Sequence, residues 1–541
     1  MISSSGVSSL AAAAALLLFI YKYLIYPLFI SPLSRIPNAH PLASITPLWM
    51  LWKRYTGHEL RTIHAAHQKY GPLIRLGPNE ISVNCIKGGI QTVYSGGFEK
   101  GFWYDFFTNY GGTINMFSDR YSRSHSARKR MISNVYSKSQ LQSSPTMTEV
   151  TKELLFNRLL PKLDRYASQE KVFNIYPELS GMTMDFVTGY QFGLSASSNF
   201  IQDDEFKNRF LDLYDSRRSY NFWPQELPEF TAFLARMGWK LVPDWVGEAN
   251  KGIEDWTMKM CDGASAFLTR TNSTRVEDVP TEEVKNFPAV YSQLVSGMAK
   301  SKKGSLTPTT MRDTANDRLE IASELLDHLA AGFDTSGITL VYVIHQLSLH
   351  PEIQETLRKE LRTLSPSISM KTARQQSPTL ASPKIVETLP FLDAITQESL
   401  RLHAAIPGPE PRVTPAAGCT LGPEGEYPGI PGGVRISAQA WSLHRNAEVY
   451  ERPLEWRPSR WLEAGEEKLK EMKRWFWAFG SGGRMCVGSN LALYQMKFIV
   501  AAIYTDFKTT VVDDEGVEQM DLYTAPPKSG KLIIRLEHAT V

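Results

Sequence analysis

The chain is dominated by stretches whose apolar residues recur at helical spacing, with a few short stretches that alternate as strands do. From Leu10 to Ile30 it is apolar apart from Lys22, and 21 residues is about enough for one membrane-spanning helix. Pro27, Pro32, Pro37, Pro41 and Pro47 then interrupt any continuous helix and predict a stiff linker and hinge. Leu73 to Val83 sets apolar residues around Gly77-Pro78-Asn79, which predicts a hairpin. Gly101 to Phe117 is crowded with aromatic residues among glycines, a composition expected of core packing. Residues 200–320 read as helical, with polar interruptions at Arg270 to Glu283 and Lys300 to Pro308, and Ser365 to Ser382 reads as a polar surface loop. Ala322 to Leu349 is apolar nearly all round, as in a helix that crosses a core, and Leu491 to Ile503 is a second such run. No internal repeat is visible.

Composition narrows the partners. A formal charge of +3 with 21% charged residues describes an ordinary surface, so nucleic acid is not an expected partner. The four cysteines, Cys85, Cys261, Cys419 and Cys486, form no Cys-x-x-Cys pair and suggest neither zinc nor a disulfide framework. Residues 1–31 read as a permanent anchor. Met1 to Ser9 lacks the basic start of a cleaved signal peptide, although the alanine run Ala11 to Ala15 would suit one. Lys22, Arg35, Lys53 and Arg54 lie on the far side from Met1 to Ser9, which makes that side cytoplasmic by the positive-inside rule. On this topology the Asn272-Ser273-Thr274 acceptor stays unmodified.

Three groups of residues carry candidate chemistry. Phe479 to Gly488 is a glycine-punctuated loop with one cysteine, where backbone N–H groups and the start of a helix favour a metal-binding thiolate, and Arg484 adds charge two residues before the sulfur. Ala331-Gly332-Phe333-Asp334-Thr335-Ser336 places a helix-weakening glycine beside an acid and an alcohol in the middle of an apolar helix; Gly332 could admit a close helix neighbour, and Thr335 could bond back to its own helix. Glu398 and Arg401 share one helical face, and Trp456 to Trp461 supplies Arg460. Phe479, Gly482, Arg484, Cys486 and Gly488 together resemble the haem-binding signature of the cytochrome P-450 family. Ala331 to Ser336 is similar to that family's oxygen-activation motif, and Glu398, Arg401 and Arg460 to its buried acid–arginine network. The texture of Arg130 to Ser137 resembles fungal microsomal members of secondary metabolism.

The resemblance implies a mainly α fold with a small β lobe, an N-terminal transmembrane helix (1–31), a proline-rich linker (32–48) and a haem-thiolate catalytic domain (49–541). It makes Cys486 the iron ligand of haem b, Ala331 and Gly332 an oxygen-binding groove, and Asp334 and Thr335 the catalytic pair that delivers protons to dioxygen. Phe479, Arg484 and Gly488 shape the cofactor loop, and His125, Lys129 and Arg412 contact the propionates; the family usually has Trp and Arg where this chain has His125 and Lys129. Phe106, Phe107, Phe117, Ala405, Ile406 and Thr524 become substrate-pocket residues, with Ala404, Tyr523, Ala525, Trp223, Phe230 and Phe233 as further candidates. The implied reaction inserts one oxygen atom into a small apolar organic substrate by hydroxylation or epoxidation, at an endoplasmic reticulum membrane, as a tailoring step. Electrons come from an NADPH-dependent reductase or a cytochrome b-type donor, because the chain carries no nucleotide-binding glycine motif; Arg128, Arg130, Lys473 and Arg474 are the candidate docking cations. The alternatives are a haem-thiolate isomerase or dehydratase that does not use dioxygen, and a noncatalytic haem-binding membrane protein.

Overall fold

Apolar runs dictate the helices, and their ends follow from capping. The computed structural model describes residues 4–303 and 311–539; residues 304–308 of the second polar interruption and the first three residues of the anchor lie outside that range. The run beginning at Ala322 is the core-crossing part of a longer helix, Met311–Leu349. It crosses helix Ile175–Phe192, whose residues are almost all buried, and helix Ser489–Asp506. A Cβ at Gly337 would come within 3.2 Å of the Ser180 Cα, so this crossing needs a glycine on one side. The three helices share one continuous apolar core that includes Leu325, Leu329, Ile338, Phe186, Phe498 and Ile503.

The expected hairpin is present as strands Leu73–Gly77 and Glu80–Val83, paired antiparallel. Two distant strands extend it: Arg435–Ser437 pairs parallel with Glu80–Val83, and Arg412–Val413 pairs antiparallel with Arg435–Ser437. This four-stranded sheet closes over its own apolar cluster, with Ile81, Val83, Val434 and Ile436 inside. A three-stranded sheet (Val172–Asn174, Ile533–His538, Phe507–Asp513) and a two-stranded one (Cys419–Leu421, Tyr427–Ile430) complete the β structure.

The N-terminal segment departs from its expected form in two ways. Helix Ser4–Ile20 continues as a widened helix, Tyr21–Ile30, with Pro27 inside it; the wider turn accommodates the missing N–H of proline, so Pro27 does not interrupt the helix. Residues 32–48 do not form a free hinge. Leu33, Ile36 and Ala43 are buried, and the Arg75 N–H donates to the Pro37 carbonyl at 2.8 Å. The Leu10–Ile30 helix itself stays almost wholly exposed, long and apolar enough to cross a membrane.

Candidate functional site

The cysteine loop is held from below by a chain of buried polar contacts. Arg401 grips both oxygens of Glu398, Nε to Oε2 at 2.9 Å and Nη2 to Oε1 at 2.8 Å, and Arg460 Nε donates to Oε1 at 2.9 Å. The Trp461 indole N–H and the Arg457 amide complete the carboxylate's shell. His444 connects this network to the loop: its Nδ1–H donates to the Arg401 carbonyl at 2.8 Å, and its Nε2 accepts from the Trp477 amide at 2.7 Å. Burial, then the charge on Arg401, pushes the His444 imidazole down to about 3, which keeps Nε2 an acceptor.

Above Trp477 the loop turns through Gly480 and Gly482, both at positive φ. A side chain at Gly482 would also strike the Tyr94 carbonyl at 2.2 Å, so only glycine fits. The Cys486 amide donates to the Phe479 carbonyl at 3.0 Å and closes the loop, and helix Ser489–Asp506 starts just after Gly488. Lys129 reaches across from helix Ser122–Ile132 and donates to the carbonyls of Gly483 (2.9 Å) and Met485 (3.2 Å).

Desolvation raises the Cys486 thiol above its ordinary value, and the Gly488 N–H and the Lys129 ammonium favour the thiolate against it. One expectation about this loop is corrected. Arg484 is not aimed at the sulfur. Its Nη1 donates to the Asp119 carbonyl at 2.7 Å, and its Nη2 bonds Glu99 and the Arg120 carbonyl.

Arg484 belongs instead to a convergence of cations. Arg412 donates to the Tyr104 hydroxyl at 2.6 Å and lies 4.9 Å from the Tyr94 ring. Lys100 lies 4.0 Å from the Tyr104 and Phe117 rings, and burial with Arg412 nearby lowers its ammonium strongly. His125 is buried where the fields of Arg484, Lys100, Lys129 and Arg412 meet, and burial plus those charges lowers it to about 3. The Arg484 Nε is buried without any partner among the described residues. So much positive charge on one interior face, with an unsatisfied donor, fits a group carrying two carboxylates. Lys100 was absent from the sequence reading, since a single lysine before an aromatic run carries no signal; folding brings it to Arg412.

On the other side, the central helix faces a cavity of about 1550 Å³ lined by Ala331, Asp334 and Thr335, with Phe106, Phe107, Phe117, Ile406 and Thr524 also in its wall. Cys486 and the convergent cations are outside that wall. Gly332 is turned away: a Cβ there would meet Val187 Cγ2 at 2.7 Å, so this glycine admits the neighbouring helix. Thr335 Oγ1 donates to the Ala331 carbonyl at 2.7 Å. Ala405 lies behind the wall, where its carbonyl accepts from the Ala525 amide at 2.9 Å. Ala404 and Trp223 are likewise not in the wall, and Phe230 and Phe233 face solvent.

Asp334 has a partner that the sequence did not reveal. Arg218 Nη2 donates to Asp334 Oδ1 at 2.6 Å, its Nε to Asp215 at 2.8 Å and its Nη1 to the Thr524 hydroxyl. At the far end, Glu226 ties the segment over the cavity to the sheet through Arg435 (2.9 Å), Arg54 (3.3 Å) and the Trp103 indole (2.8 Å). Burial alone would raise Glu226, but Arg435 and Arg54 outweigh it and hold the carboxyl at about 2.

The sequence matches the family description "Cytochrome P450" over residues 41–534. The chain belongs to the cytochrome P450 family. It is 30% identical over 439 residues to the cytochrome P450 monooxygenase avaI of Aspergillus versicolor, covering 79% of this chain and 93% of that protein. A cytochrome P450 monooxygenase of Aspergillus terreus is 28% identical, covering 84% and 85%. The cytochrome P450 monooxygenase macH of Penicillium terrestre is 24% identical, covering 90% and 89%. The chain is therefore an oxidoreductase of the P450 monooxygenase class, and the family implies haem-thiolate iron and use of dioxygen.

Proposed function

We propose that this P450 is a membrane-anchored, reductase-dependent monooxygenase that hydroxylates or epoxidises a small organic molecule as a tailoring step in secondary metabolism. The observation that carries the reading is the position of the cavity: its wall contains Ala331, Asp334 and Thr335, while the buried cations and Cys486 lie beyond that wall. Cys486 would hold the haem iron, and Arg412, Lys100, Arg484 and His125 would face the propionates. Bound there, the haem supplies activation of dioxygen and the oxidising power for attack on carbon.

The chain's own residues do the rest. Asp334, held by Arg218, keeps a carboxylate at the cavity wall, and the Thr335 hydroxyl needs only to leave the Ala331 carbonyl to donate a proton into the cavity. Phe106, Phe107 and Ile406 exclude water and orient the substrate. NADPH-derived electrons would enter on the cysteine-loop side, where Arg130, Lys473 and Arg474 are exposed; Arg128 is turned toward Asp119, Glu320 and Glu324 instead. The exposed Leu10–Ile30 helix supports an anchor in the endoplasmic reticulum membrane.

The deciding experiment is the spectrum of the dithionite-reduced, carbon monoxide-bound protein beside that of Cys486→His. A thiolate-type band that disappears in the variant is expected. Folded protein that takes up no haem would sink the reading.

A further inference from the structure

The cavity wall carries many carboxylates, and all but one have a donor within the protein. Arg218 serves Asp334 and Asp215, Arg54 and Arg435 serve Glu226, and Arg54 also serves Glu59. Arg120 pairs with Asp105, and backbone amides serve Glu254 and Asp521. Asp327 is the exception. It lines the cavity two turns before Asp334 on the central helix, and no hydrogen bond or ion pair reaches it among the described residues. Asp327 is half-buried at the cavity wall, and desolvation pushes its carboxyl up to about 7, with Glu324 adding to the shift and His328 and Lys100 opposing it. A carboxylate that lines a cavity with no donor of its own among the described residues is open to a ligand that supplies one.

The surroundings define that ligand's chemistry. Asp327 and Tyr523 line the same cavity, and the Tyr523 hydroxyl is itself buried without a partner among the described residues. Tyr523 stands in an aromatic wall: its ring lies 5.3 Å from Trp103, 5.6 Å from Phe107 and 6.4 Å from Phe117. Trp103, Phe107, Phe117 and Tyr523 all line the cavity. A cavity lined by both an unpaired carboxylate and several aromatic rings favours a cation over a neutral group of the same shape, because charge and ring quadrupoles both attract it. Lys100 already occupies such a position over Tyr104 and Phe117, but its ammonium is spent on the Phe117 carbonyl at 2.5 Å rather than on Asp327.

We propose that Asp327 and the aromatic wall of Trp103, Phe107, Phe117 and Tyr523 anchor a cationic nitrogen, so that the molecule oxidised in this cavity is a basic amine or guanidine with an apolar body. This rests on the monooxygenase reading of the cavity and narrows its substrate class. Asp327 acts here as a specificity-determining residue and holds the cationic end while the apolar remainder reaches toward Ala331 and Thr335.

The test uses haem-loaded full-length protein and two probes of one shape, (4-phenylbutyl)trimethylammonium and its carbon isostere (5,5-dimethylhexyl)benzene. The quaternary nitrogen has no lone pair, so it cannot ligate iron. Binding is followed by calorimetry and by the haem spin-state shift. The cation should bind the wild-type protein on the order of tenfold more tightly than the isostere. Asp327→Asn should remove that preference and leave isostere affinity within about twofold, while Asp327→Glu should retain most of it. Equal affinities in the wild-type protein, or an equal loss of both probes in Asp327→Asn, would overturn the proposal, and the wild-type comparison decides even if a variant fails to fold. A normal carbon monoxide spectrum with no cation preference removes the site but leaves the monooxygenase reading. Calorimetric cation preference in protein that binds no haem does the reverse.

Discussion

His444 shows how one side chain can join a folding network to a chemical loop. Its imidazole is neutral in the folded protein because it accepts from Trp477 at Nε2 and is buried beside Arg401. The unfolded chain, with an ordinary histidine, takes up a proton near 6.5. Because the folded value is the lower one, the native state is fully favoured above pH 6.5 and loses stability as pH falls toward about 3. Between these two values the loss approaches roughly 1.4 kcal/mol per pH unit. Thermal unfolding between pH 7.5 and 5 should show a slope to which His444, His125 and His67 each contribute, and His444→Gln should reduce it by about one proton's share; an unchanged slope would mean that His444 does not titrate on unfolding. Arg218 is a second such residue. Replacing it by Gln strands Asp334 in the cavity wall and should cost about 1–3 kcal/mol, the pair being open to the cavity on one side. In a double-mutant cycle with Asp334→Asn, the double variant should cost little more than either single change; strict additivity in denaturant titrations would show that the pair is not coupled.

At the scale of elements, the Glu398, Arg401 and Arg460 network joins helix Pro390–Leu402 to the segment that leads into the cysteine loop. Arg401 also donates to the carbonyls of His444, Pro453 and Glu455, so it closes several loop backbones at once. Arg401→Ala therefore leaves a fully buried Glu398 with one cation fewer, strips the His444 and Pro453 carbonyls of this donor, and leaves the Glu455 carbonyl to Arg460 alone. A loss of about 3–5 kcal/mol in urea unfolding is expected, accompanied by poor haem retention. A stable variant that retains haem would show the network to be dispensable. The sequence made this element readable because its three residues belong to short motifs in a recognisable order. It could not show that His444 completes the connection, since a histidine before an arginine looks like any other surface pair.

At the scale of the molecule, the N-terminal apolar helix and the body of the fold meet at Arg75. This buried guanidinium donates to the Pro27 carbonyl at 2.8 Å, and also to Ser44 and to the carbonyls of Gly77 and Pro78. Core contacts begin after the anchor, with Leu33 and Ile36 in the apolar cluster of the four-stranded sheet. Deleting residues 1–26 should thus move the protein from the membrane to the soluble fraction in a fractionation experiment while the carbon monoxide spectrum persists. Soluble protein without that spectrum would place part of the catalytic fold in the anchor.

The sequence by itself determined the helices, the hairpin, an N-terminal stretch long and apolar enough to cross a membrane, and the family. Each of these is local: periodicity, glycine placement and motif order are properties of neighbouring residues. The tertiary structure decided charge and orientation. It turned Arg484 from the sulfur to Glu99, Gly332 to Val187 and Thr335 to its own helix, and it gave Asp334 an arginine while leaving Asp327 with none among the described residues. Pairing depends on segments more than a hundred residues apart, such as Arg218 and Asp334. Whether a buried charge has a partner is set by where the fold brings those segments, which no local pattern records.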